Sequence, residues 1–193
     1  MKKLIAIIAI AAGSTFLCAC NISLLPQKPK SELTLYTLGT PANAVGTQNV
    51  PALKFGKISI PTYVDTPQIV TRETPTTVHL SETHQWAEPL ARAIQRAIPL
   101  RVSEIVREKN LKTFSKIDVL VDRFDGALDG KFTLAARINI YSDNAPGSDT
   151  ETLSRIFTIS TPVRAANYSA YVEAMSAATD ALARTVAEEI TAK

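Results

Sequence analysis

Ile117-Asp118-Val119-Leu120-Val121-Asp122-Arg123-Phe124 and Phe132-Thr133-Leu134-Ala135-Ala136-Arg137-Ile138-Asn139-Ile140 are the two runs whose reading decides the fold. In the first, Ile117, Val119 and Val121 alternate with Asp118 and Asp122. In the second, Phe132, Leu134, Ala136, Ile138 and Ile140 alternate with Thr133, Arg137 and Asn139. Side chains along a strand point to opposite faces in turn, so each run reads as a strand with one face buried and one wet. Asp125 to Gly130 is expected to form the turn between them, with Asp129-Gly130 suited to positive φ. After a polar loop from Ser142 to Thr152, Leu153 to Ile159 alternates through Arg155, Phe157 and Ile159. The three runs together predict an antiparallel meander.

On the C-terminal side, Tyr168 to Ala192 predicts a long helix. Tyr171, Met175, Ala178, Leu182, Val186 and Ile190 recur at helical spacing, and the many alanines allow close approach to a sheet. On the N-terminal side, Leu90, Ile94, Ile98, Val102 and Ile105 predict a second helix. Pro99 is expected to kink or split it, Ser81 to Trp86 to lead into it, and Asn110 to end it. Further upstream, Leu33–Leu38, Leu53–Ile60, Ile69–Arg72 and Thr77–Leu80 read as short strands. The predicted class is α+β: a mixed, largely antiparallel sheet with two main helices packed on one face.

The first residues read as a processing signal rather than structure. Lys2 and Lys3 precede the apolar run Leu4–Ala12, which is short of the ~20 residues that span a bilayer. Leu17-Cys18-Ala19-Cys20 follows and resembles a lipobox, with Cys20 as the residue to be acylated. The expected organisation is a lipoprotein signal peptide at 1–19, a lipidated Cys20 with a proline-bearing tether at 20–32, and one periplasmic domain at 33–193. Several acyl chains hold a membrane stably, because each buried methylene contributes ~0.8 kcal/mol. Asn21, where an Asp commonly retains lipoproteins at the inner membrane, suggests the outer membrane with the body facing the periplasm. The tether, with Pro26 and Pro29, reaches at most ~40 Å.

Without residues 1–19 the chain has one cysteine, Cys20, so no internal disulfide is expected. The formal charge of +3 falls to +1 once Lys2 and Lys3 leave, and no Lys/Arg run suggests nucleic acid. There is no Gly-rich phosphate loop and no Gly-x-Ser-x-Gly elbow. His79 and His84, with Glu82 and Glu88, do not have the spacing of a helical metal pair. Asp122, Asp125 and Asp129 beside Gly126 and Gly130 fail the calcium-loop pattern and read as turn residues. No catalytic, cofactor or metal residues are therefore expected.

Two segments carry a resemblance. One is Ile58-Ser59-Ile60-Pro61-Thr62-Tyr63-Val64-Asp65-Thr66-Pro67-Gln68-Ile69-Val70-Thr71-Arg72; the other is Gln85-Trp86-Ala87-Glu88-Pro89-Leu90. With Tyr36-Thr37-Leu38, Val119–Phe124 and the helix from Tyr171 to Ile190, the sequence resembles the ABC-type transport auxiliary lipoprotein family. That family includes the lipoprotein of the paraquat-inducible envelope system. Thr62 and Val64 stand where Leu-type residues are frequent. The resemblance implies a non-enzymatic outer-membrane docking subunit working with an inner-membrane-anchored MCE-domain protein. Such systems move phospholipid or another hydrophobic molecule across the periplasm, some with a permease and an ATPase. A homo-oligomeric ring is a further implication. A structural lipoprotein of an unrelated envelope assembly is the alternative, and a periplasmic hydrolase or metal-binding protein a third reading.

The candidate partner contacts are Pro61, Tyr63, Pro67, Gln68, Arg72, Trp86 and Pro89. Pro61 and Pro67 bracket a stiff segment that either exposes Tyr63 and Gln68 or shapes a crossover between strands. Arg72 either pairs with Glu88 or Asp65 or stays solvated. Trp86 either staples the helix start to the sheet or anchors a partner.

Overall fold

The alternating runs form the strands they predict, and a computed structural model describes residues 32–39, 53–106, 116–142 and 150–191. Cys20, the signal segment and the tether to Ser31 lie outside the described residues, as does the expected helix end at Asn110. Leu33–Lys193 is one compact unit. In chain order its elements are β1 (Thr34–Tyr36), β2 (Phe55–Ser59), β3 (Gln68–Arg72), β4 (Val78–Trp86), α1 (Leu90–Val106), β5 (Lys116–Gly126), β6 (Lys131–Ser142), β7 (Thr150–Pro162) and α2 (Tyr168–Thr191).

The class is α+β, but the strands divide between two sheets. One has the order β1-β4-β3 and the other β2-β5-β6-β7. β1 runs parallel to β4 and β2 parallel to β5, while the remaining pairs are antiparallel. The meander β5-β6-β7 is the body of the larger sheet. Helix α2 packs on β6 and β7, and α1 packs against α2 and β2. The predicted stripe Tyr171, Met175, Ala178, Leu182, Val186, Ile190 is fully buried there, against Ile117, Val119, Phe132, Leu134, Ile138 and Ile140. Asn167 caps α2, its Oδ1 accepting from the Ala170 N–H at 2.9 Å.

Three local expectations change. The segment Ser81–Trp86 is strand, not helix lead-in: Gln85 pairs with Gln68 and Trp86 with Tyr36, so β4 spans nine residues. Pro99 does not split α1. It sits half-exposed, and Ile94, Ile98, Val102 and Val106 keep one buried face on both sides of it. That packing outweighs the one backbone hydrogen bond a proline removes. The turn between β5 and β6 is shorter than expected and is closed by Ala127 N–H to Lys131 O and Gly130 N–H to Ala127 O. Gly130 lies outside the left-handed region; the demanding glycine is Gly126, where an added Cβ would lie 2.1 Å from the Lys131 carbonyl oxygen.

β5 carries a bulge. Val121 pairs with Ala136 and Arg123 with Ala135, so Asp122 is an extra residue in the ladder. One inserted residue reverses which face every later side chain meets. Ile117, Val119 and Val121 face the helices, and after the bulge so does Phe124, edge-on to Phe132 with ring centroids 4.8 Å apart. Arg123 and Asp125 are thereby turned to the other face.

Tyr171 joins α2 to both sheets. Its ring packs edge-on against Phe132, and its hydroxyl donates to the Val70 carbonyl of β3 at 3.0 Å, with the Gly126 carbonyl of β5 at 3.2 Å. Burial pushes its pKa up, so the hydroxyl stays a donor. Tyr171→Phe keeps the ring and removes the donor; urea unfolding should register a loss of about 1–3 kcal/mol.

Candidate functional site

The two quoted motifs meet. Pro61–Asp65 makes a tight turn, with Val64 N–H donating to Pro61 O and Asp65 N–H to Thr62 O. Pro61 suits the start of such a turn by fixing φ. Val64 is buried beneath it. Beyond the turn, Trp86 N–H donates to Pro67 O at 2.7 Å and Ala87 N–H to Tyr36 O at 2.8 Å. Pro89 then starts α1, its carbonyl accepting from Arg92 and Ala93. Between these segments lies a cleft of about 440 Å³ lined by Asp65, Thr66, Pro67, Trp86, Ala87, Glu88 and Pro89. Pro67, Ala87 and Pro89 are exposed, whereas Trp86 is only 6% exposed. Its indole is part of the core, with an edge lining the cleft. Glu88 pairs with Arg96, whose hydrogen bonds hold the carboxyl below the usual carboxylate range. Asp65 is exposed at the other side of the cleft.

Tyr63 and Arg72 face away from solvent, toward Asp125. Arg72 donates from Nε to Oδ1 and from Nη2 to Oδ2, each at 2.7 Å, and from Nη1 to the Pro75 carbonyl at 2.9 Å. The Tyr63 hydroxyl donates to Oδ2, and Arg123 Nε donates to Oδ1 at 3.0 Å. The Asp125 side chain has no solvent exposure. Burial pushes its pKa up, but the hydrogen bonds from Arg72, Tyr63 and Arg123 outweigh it and hold the carboxyl below the ordinary range. Burial and the Asp125 contact raise the Tyr63 pKa, so that hydroxyl remains a donor.

Arg72 therefore pairs with Asp125 rather than with Glu88 or Asp65. Asp125 is not a turn residue: the bulge at Asp122 aims it inward beneath Tyr63 and Arg72. Asp122 itself is exposed on the strand, and of the three aspartates only Asp129 lies in the turn. Gln68 is half-buried in the ladder opposite Gln85, and Pro61 half-buried at the start of the turn. Of the seven candidate contacts, Pro67, Trp86 and Pro89 line the cleft, while Tyr63 and Arg72 bind Asp125 of the larger sheet and do not line it. The sequence reading makes Asp125 only a turn residue and Tyr171 only part of the apolar stripe of α2, and it assigns Arg123 no role. The sequence signal for Asp125 and Arg123 is the apolar period within β5, which moves from odd positions at Ile117–Val121 to an even one at Phe124.

His79 lies with Nδ1 3.8 Å from Glu73, and His84 stacks on Tyr168 with centroids 4.0 Å apart while its Nδ1 meets Ser81 and Thr83. Among the described residues no group of three His, Cys, Asp or Glu side chains could hold a metal ion.

With motif, strand and helix in this arrangement, the pattern defining the ABC-type transport auxiliary lipoprotein component family matches residues 34–187. The chain belongs to this family. Two solved structures share the fold of this auxiliary lipoprotein. A crystal structure of an uncharacterized protein superposes with a TM-score of 0.68 at 15% identity, covering 83% of this chain and 99% of that one. The protein XCC0632 from Xanthomonas campestris, of the DUF330 family, superposes with a TM-score of 0.64 at 19% identity, covering 81% and 95%. No curated protein matches the chain. Among the described residues of this auxiliary lipoprotein, no helix is long and apolar enough to cross a membrane.

Asp125→Asn keeps the shape and removes the charge shared by two guanidiniums. Guanidinium denaturation at pH 7 should show a loss of about 3–5 kcal/mol. A carboxyl with a depressed folded pKa contributes fully above its unfolded pKa of ~3.9 and loses that contribution as pH falls through the folded value. The stability gap between wild type and Asp125→Asn should therefore narrow as pH is taken below about 4.

Proposed function

We propose that this chain is an outer-membrane lipoprotein, anchored through Cys20 and facing the periplasm. It acts as the non-enzymatic docking subunit of an MCE-type system that moves phospholipid or another hydrophobic molecule between the membranes. The observation that carries this reading is the cleft: the two segments that resemble the family most strongly, around Pro67 and Pro89, converge on one exposed, mostly apolar hollow. Partner contacts concentrate where apolar surface lies in a pre-formed hollow with polar groups at its edge. Rigidity there lowers the ordering cost of association, and the backbone bonds from Trp86 to Pro67 and from Ala87 to Tyr36 supply it. Pro67 and Pro89 form the contact edge; Tyr63 anchors the neighbouring Pro61–Asp65 turn on Asp125. The lipobox and the 20–32 tether keep the domain within ~40 Å of the membrane face.

Two measurements test this. Cys20→Ala should abolish acyl labelling and move the protein from the membrane to the soluble fraction; a labelled, membrane-bound variant would overturn the anchor. A photocrosslinker at Pro67 or Pro89 should capture an MCE-domain protein in intact envelopes, whereas one at Arg184, exposed on α2, should not. Capture from Arg184 alone would move the contact off the cleft.

A further inference from the structure

β7 is the outer strand of the larger sheet. Its ladder with β6 is regular from Leu153 opposite Ile140 to Pro162 opposite Lys131. Val163 N–H donates to the Gly130 carbonyl at 2.9 Å. Antiparallel hydrogen-bonded positions alternate, so Leu153, Arg155, Phe157, Ile159 and Thr161 direct their backbone groups to β6. Ser154, Ile156, Thr158 and Ser160 direct theirs to the open edge. Pro162 falls in the open-edge set, where its missing N–H costs no ladder bond.

Long open edges are normally blunted by charged side chains, prolines or bulges. The open positions Ser154, Ile156, Thr158 and Ser160 have none. The one charge in this stretch, Arg155, belongs to the other set and pairs with Glu189 of α2 at 2.7 Å. Ile156 is 64% exposed in the middle of it, the most exposed of the large apolar side chains among the described residues.

We infer that this edge pairs with the same edge of a second copy, antiparallel, about a two-fold axis at Phe157. In that register Ile156 lies opposite Thr158 of the second copy, and Ser154 opposite Ser160. All four open residues find backbone partners at once, and Pro162 lies just outside the paired stretch. Each Ile156 is covered by the second copy's Thr158 and lies diagonal to the other Ile156. On the helix-bearing face the two Phe157 rings meet across the axis, and Arg155 faces Ile159, so no like charges oppose each other. Self-complementarity is what favours a second copy as occupant: the same residues satisfy both sides of an isologous contact. Such a contact closes at two chains. It is independent of the docking cleft and distinct from a ring, which requires a heterologous interface.

The test uses full-length acylated protein in detergent micelles, where Cys20 carries lipid and offers no thiol. Ile156→Cys and Thr158→Cys chains, mixed and oxidised, should give a disulfide-linked dimer, because opposed residues of a hydrogen-bonded pair lie at a Cα separation a disulfide can bridge. Either variant alone should give at most a minor band. Equal crosslinking in all three samples would overturn the register, and none in any would overturn the contact. Hydrogen exchange gives a second readout. Ser154, Ile156, Thr158 and Ser160 amides should become protected as concentration rises, and Thr158→Pro, which spares the β6 ladder, should abolish that protection. Protection that appears only on adding another envelope protein would replace the second copy with a foreign strand.

Discussion

The junction between the two sheets centres on one buried carboxylate. Asp125 is out of contact with water, and an unpaired charge there would be untenable. It must be met by donors, and they come from different parts of the fold: Arg72 at the end of β3, Tyr63 in the turn after β2, and Arg123 two residues before it. The smaller sheet and the Pro61–Pro67 segment are thereby tied to the end of β5. Tyr171 adds a second tie from α2 to Val70 and Gly126, one residue beyond the carboxylate. A fully apolar junction of the same volume could be as stable. What the polar junction adds is direction, since a bidentate guanidinium fixes both distance and plane.

The bulge at Asp122 is what makes this possible. Without it, Asp125 would point into the apolar layer between sheet and helices, and Phe124 would point out. With it, Phe124 joins Phe132 and Tyr171 in the core while Arg123 and Asp125 face the smaller sheet. Close backbone approach at Gly126 completes the hairpin end. Residues that resemble the family pattern thus divide by role: Tyr63 and Arg72 are internal braces, while Pro67 and Pro89 stand at the edge of a cleft floored by Trp86.

Much of this was legible in the sequence. The meander and both helices follow from their periods, because strict alternation and a three-to-four spacing reflect the geometry of burial itself. Pro99 misleads because local propensity counts one lost hydrogen bond, while the apolar face of α1 extends over four turns. Ser81–Trp86 misleads because its polar side chains hide a strand held by its backbone between β1 and β3. The Arg72–Asp125 pair is separated by 53 residues. Local patterning cannot choose its partner, and the nearer carboxylates Asp65 and Glu88 are the natural but wrong candidates. The division into two sheets rests on equally long-range strand pairings, β1 with β4 and β2 with β5.

The most direct test of this architecture is a double-mutant cycle on Arg72→Ala and Asp125→Ala, read by chemical unfolding at neutral pH. The account predicts strong coupling, about 2–3 kcal/mol, because each single variant leaves the other partner's charge without its main counterpart. Effects that add to within about 0.5 kcal/mol would contradict it, and would mean the Arg72–Asp125 pair is not what joins the two sheets.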